Sequence, residues 1–145
     1  MKDNVFIDTN ILIYLYSEDE VEKQQIIENL TNQFLPVISI QVLNEISNVM
    51  RKKMKLDFQV ISGVIDELST YCIIRGLTIE TIKSAIKIAE KYKYSYYDSL
   101  IIASALENKC NKLYSEDMQH EQYIENQLRI INPFYNEQKT NFHAN

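Results

Sequence analysis

The chain has 145 residues, 46% apolar and 24% charged, with a formal net charge of −5. That length suits one domain with a sizeable core. Cys72 and Cys110 alone exclude a disulfide framework, and the acidity counts against nucleic acid unless the acids gather round a cation.

No apolar run approaches the ~18 residues of a membrane span, and Met1-Lys2-Asp3-Asn4 does not open a leader. A cytoplasmic protein without membrane contact is expected, with both cysteines buried as small hydrophobes. Two Gly and two Pro imply few loops.

In chain order, Val5-Phe6-Ile7 reads as a short buried strand running into Asp8-Thr9-Asn10, with a short helix from Thr9 to about Tyr16. Val21 to Phe34 reads as a helix and Pro36 to Ile40 as a second strand. Gln41 to Met54 is helical, with Val42, Ile46 and Met50 on its inner face. Another helix follows to Thr70, with Asp57 as its expected cap, then a strand at Cys72-Ile73-Ile74. Thr78 caps a helix to Lys91 that is expected to bury Ile82, Ala85, Ile86 and Ala89. Ser95 starts the most apolar helix, and Lys112 to Ser115 and Leu128 to Ile131 close the list of strands.

Short strands alternating with helices imply parallel crossovers. The expected fold is a three-layer α/β/α domain over residues 1–134, with a mostly parallel sheet of four to five strands. Residues 135–145 form a polar tail expected to fray.

Four acids stand out. Asp8 ends a strand, at the carboxyl edge where α/β sheets carry their sites, although Asp is also an ordinary helix cap. Glu45 lies at the border of its helix's buried stripe, where a solvated flank residue is equally at home. Asp98 stands third after Ser95 in a capping-box pattern, at the mouth of the most buried helix. Asp117 follows the Leu113-Tyr114 strand as Asp8 follows Phe6-Ile7. Two carboxylates ~4 Å apart repel by ~4 kcal/mol at an effective dielectric of 20. If the four converge, they call for a hard cation, Mg²⁺ or Mn²⁺.

With these acids in this order, the chain resembles PIN-domain ribonucleases, and most of all the toxin subunits of VapBC-type toxin–antitoxin pairs. The resemblance rests on Phe6-Ile7-Asp8-Thr9-Asn10-Ile11-Leu12, Asn44-Glu45, Tyr97-Asp98-Ser99-Leu100-Ile101-Ile102-Ala103-Ser104-Ala105, Leu113-Tyr114-Ser115-Glu116-Asp117-Met118-Gln119-His120 and Asn132-Pro133-Phe134. It implies a metal-dependent endoribonuclease acting on single-stranded or loop RNA. Asp8 and Asp98 would be direct ligands of Mg²⁺ or Mn²⁺, and Glu45 and Asp117 would hold water or a second ion. Thr9, Ser115 and Glu116 would support them. It further implies an antitoxin partner, contacting helices between Val21 and Met54, and a toxin homodimer. One departure is visible: relatives often carry Gly after Gln-His, where this chain has Glu121.

Other readings stay open. His120 has room for a base or for local packing, and Tyr96 and Tyr97 for base stacking or for core. The Arg51-Lys52-Lys53-Lys55 run and the Lys83-Lys87-Lys91-Lys93 stripe could meet phosphates or only solvent. A phosphoacceptor role for Asp8 wants a second Asp where Asn10 stands. A non-catalytic PIN-like module binding RNA or protein is the alternative to the nuclease.

Overall fold

At the centre of the sheet lies β1 (Asn4–Ile7), its apolar residues Val5, Phe6 and Ile7 all buried. The structure, a computed structural model, describes residues 3 to 135. After β1 come α1 (Thr9–Leu12), a 3-10 turn (Ile13–Tyr16), α2 (Val21–Thr31), β2 (Leu35–Ser39), α3 (Ile40–Lys52) and α4 (Phe58–Tyr71). Then follow β3 (Ile73–Arg75), α5 (Ile79–Tyr92), α6 (Tyr96–Glu107), β4 (Lys112–Tyr114), β5 (Tyr123–Ile124) and β6 (Leu128–Ile131). The result is the expected three-layer α/β/α arrangement, a mostly parallel sheet flanked by helices.

The sheet order is β3-β2-β1-β4-β6-β5. The chain builds outward from β1 through β2 to β3, then returns to lay β4 on the other side of β1, parallel to it. This reversal between β1 and β4 is a topological switch point, and the crevice beyond its carboxyl ends is where such sheets take ligands. The register pairs Ile7 with Tyr114, which brings Asp8 level with Ser115. Asp8 N donates to Tyr114 O at 3.0 Å.

Three local differences have physical reasons. The sheet gains β5, two residues long and antiparallel to β6. A segment that short leaves no periodic trace, and the turn's central residues, Glu125 and Asn126, take positive φ without a glycine to announce it. Helix α2 stops at Thr31, and Phe34 packs instead on Tyr114 with ring centroids 5.5 Å apart.

Helix α5 is turned about its axis relative to expectation. Ile88 is 5% exposed, whereas Ile82 and Ile86 are 41% and 54% exposed. Its buried residues are Thr81, Ala85 and Ile88, and it packs on α6, where Ala85 meets Leu100 and Ala103. Thr81 is pinned inward as the partner of Thr78 in the capping box and as donor to Glu107 at 2.9 Å. The close approach of two helices selects the small residues, not the bulky ones.

Cys72 and Cys110 are buried and free, as expected. Asp57 sits at the start of α4, but its side chain makes no capping hydrogen bond. The tail assigned to 135–145 lies outside the described residues apart from Tyr135. Among the described residues no helix is long and apolar enough to cross a membrane.

Candidate active site

The four acids arrive from separate elements. Asp8 follows β1, Glu45 rides on α3, Asp98 sits in the first turn of α6 and Asp117 in the loop after β4. All four line one cleft of about 270 Å³, together with Thr9, Asn10, Ile13, Val49 and Lys53.

Asp8 is the deepest, 5% exposed. Its Oδ1 accepts from Thr9 N at 2.7 Å and its Oδ2 from the Ser115 hydroxyl at 2.9 Å. Asp8 therefore both caps α1 and lines the cleft, so the cap and the site are one residue. Burial above all pushes the Asp8 carboxyl up to about 7, against the two hydrogen bonds and aided by Asp98 and Glu45.

Burial likewise raises Glu45, with Asp98 adding to the rise while Thr9 and Gln41 oppose it. Asp98 is raised by burial, then by Asp117, against Ser95. The carboxylates thus feel one another. Yet among the described residues no three Asp, Glu, His or Cys side chains close into a metal cage.

Two buried oxygens at the cleft, Thr9 Oγ1 and Glu45 Oε1, have no hydrogen-bond partner. Thr9 lies close enough to favour the Glu45 charge, but the two atoms do not bond. Unsatisfied buried oxygens among carboxylates fit a site for a hard cation and its waters.

Asn10 is the residue sequence reasoning undervalued. Its Nδ2 donates to Asp117 Oδ2 at 2.9 Å, and its Oδ1 accepts from Glu116 N at 3.2 Å. It ties the end of β1 to the loop that carries the last acid. The available signal was its place two residues after a strand-end acid, on a helix start facing the neighbouring strand's loop.

The remaining residues divide. Ser115 contacts Asp8 directly, and also accepts from Met118 N at 3.4 Å. Glu116 does not line the cleft; its carboxylate takes Tyr14 OH and Lys23 Nζ, the latter at 2.9 Å. His120 accepts from Asn132 N at 2.9 Å and stacks on Tyr135, outside the cleft lining. Tyr96 and Tyr97 are exposed and pack edge-on against each other beside Asp98. Glu121 explains the missing glycine: it holds φ at 69°, a left-handed conformation glycine adopts freely. Here a two-pronged pair with Arg129 anchors it.

The chain belongs to the PIN domain family, whose sequence pattern matches residues 5–125. A comparison with curated proteins gives no match. Among solved structures it is similar to a toxin–antitoxin complex from Klebsiella pneumoniae, with 19% identity, 89% of this chain and 97% of that one covered, and a TM-score of 0.69. VapBC2 from Rickettsia felis, bound to a fragment of promoter DNA, gives 18% identity, 89% and 99% coverage, and a TM-score of 0.63. Mycobacterium tuberculosis VapC20, a toxin that cleaves the sarcin–ricin loop, gives 16%, 75% and 86%, and 0.63. At these identities the likeness is one of fold.

Proposed function

We propose that the protein is a metal-dependent endoribonuclease and the toxin of a toxin–antitoxin pair. One observation carries the reading: Asp8, Glu45, Asp98 and Asp117 line a single cleft at the switch point of the sheet. Membership of the PIN domain family supports it.

Asp8 and Asp98 are the direct ligands in this reading, because one is fixed by Ser115 and Thr9 and the other stands on a rigid helix start. Glu45 and Asp117 hold water, Glu45 through its unpartnered Oε1 and Asp117 in the orientation that Asn10 imposes. Mg²⁺ or Mn²⁺ bound there would polarise a phosphoryl oxygen and lower the pKa of a bound water. In this reading Glu45, whose buried Oε1 has no hydrogen-bond partner, would take the proton from that water.

Single-stranded or loop RNA is the proposed substrate, since unstacked bases can use exposed Tyr96 and Tyr97. VapC20, a neighbour in fold, cleaves such a loop. An antitoxin is the proposed partner, in keeping with neighbours that are toxin–antitoxin complexes. The exposed faces of the helices between Val21 and Met54 are the surface proposed for that contact. A toxin homodimer is also proposed, with the exposed Ile79, Ile82 and Ile86 as the apolar surface it would bury; light scattering should give a dimer mass for the purified chain and a monomer mass for Ile82→Ser with Ile86→Ser.

The test is cleavage of an RNA panel in Mg²⁺ or Mn²⁺ by wild type, Asp8→Asn and Asp98→Asn. Wild type should cut and both variants lose at least about a hundredfold in rate. Equal cleavage by either variant removes that residue from the site. The second reading is a non-catalytic PIN-like module that binds RNA or protein, and calorimetry that detects no Mn²⁺ binding would select it.

A further inference from the structure

We infer that Lys53 is the phosphate anchor of the cleft, gripping a backbone phosphate that flanks the bond under attack. The inference rests on the nuclease reading and adds to it a residue that separates this lysine from the chain's other basic runs.

Of the nine residues lining the cleft, Lys53 is the only cation, facing four carboxylates. Glu45 and Val49 on α3 and Lys53, the capping residue just past its end, follow at successive steps of four residues and share one stripe. The stripe climbs ~12 Å from the acid at depth to the lysine at the rim. A strand of RNA whose scissile phosphate lies among the acids thus has a neighbouring phosphate within reach of a long ammonium side chain.

The backbone beneath Lys53 is held firmly. Its N–H donates to Val49 O at 2.9 Å, and the helix end is closed by Met54 N to Val49 O at 3.2 Å and Leu56 N to Met50 O at 3.0 Å. Lys55, with φ at 56°, turns the chain there. The ammonium itself is uncommitted: among the described residues Lys53 makes no ion pair or side-chain hydrogen bond. Four other cations are occupied. Lys23 pairs with Glu116, Lys91 with Glu125 and Arg129 with Glu121, while Arg51 stacks on Phe58 and donates to Leu56 O. Of both basic runs, only Lys53 borders the cleft.

The plain alternative is a solvated lysine complementing the carbonyls at a helix end. It predicts no effect on RNA. The experiment measures binding of a fluorescein-labelled single-stranded RNA of mixed sequence, in Mg²⁺, across a KCl series. Asp98→Asn is the parent, so that cleavage does not intrude. Adding Lys53→Gln should weaken binding about two- to fivefold and lower the salt slope by ~0.7. Lys53→Arg should restore both, and Lys83→Gln with Lys87→Gln should change neither. Unchanged affinity and slope in Lys53→Gln overturn the assignment, as does an equal loss in the Lys83/Lys87 variant. If wild type cleaves no RNA and the parent binds none, the nuclease reading fails and takes the anchor with it. If wild type cleaves while Lys53→Gln binds like its parent, only the anchor falls.

Discussion

The Asp8 carboxyl ionises near 3.8 in an unfolded chain and near 7 in the folded one. Between those values the folded protein holds a proton that the unfolded chain releases. Stability of the metal-free protein is therefore fullest below the lower value and falls as pH rises to the upper. At ~1.36 kcal/mol per pH unit the loss is about 4 kcal/mol at most, and Glu45 and Asp98, also raised, act in the same direction. Urea unfolding in EDTA at pH 5 and pH 8 should show wild type less stable at the higher pH. Asp8→Asn should flatten that dependence and gain stability at pH 8. A several-kcal/mol loss instead would mean that the carboxylate's hydrogen bonds to Thr9 and Ser115 outweigh the cost of burying its charge. Asn10 gives a second residue-level test. Asn10→Ala removes two hydrogen bonds that tie β1 to the β4 loop, which should cost about 1–2 kcal/mol and lower kcat by loosening Asp117. Unchanged kcat with only the stability loss would make Asn10 a purely structural tie.

Among the elements, α3 and α5 show when periodicity can be trusted. The inner face of α3 was legible because Val42, Ile46 and Met50 are large, apolar and all buried. The same logic misplaced α5, where large isoleucines point out and Ala85 meets α6. Hydrophobic weight favours bulk, whereas a close helix pair favours small residues. The contrast predicts that Ile88→Ala costs about 2–4 kcal/mol in thermal unfolding and Ile86→Ala less than about 1. Equal costs would return Ile86 to the core. Strand β5 shows the opposite limit, since two residues hold no period to read.

For the molecule as a whole, a cation bound only by the folded state should stabilise it by mass action. Mn²⁺ or Mg²⁺ should raise the thermal midpoint of wild type at pH 8, the stabilisation reaching about 2.7 kcal/mol at a hundredfold excess over Kd, and EDTA should reverse the gain. Asp98→Asn should respond less. A midpoint indifferent to both ions would deny the cleft its cation.

From sequence alone followed the alternation of strands and helices, the burial of β1, and four acids each in a recognisable local setting. These are short-range properties, set by residues a few positions apart. Whether Asp8 meets Ser115, whether Asn10 reaches Asp117, and which lysine borders the cleft depend on contacts spanning up to 107 positions. Those were decided only when β4 was laid beside β1. That pairing also dissolved the choice between cap and site at Asp8, because a strand end that starts a helix at a switch point serves both. Parallel register, not local propensity, brought the acids to one edge of the sheet.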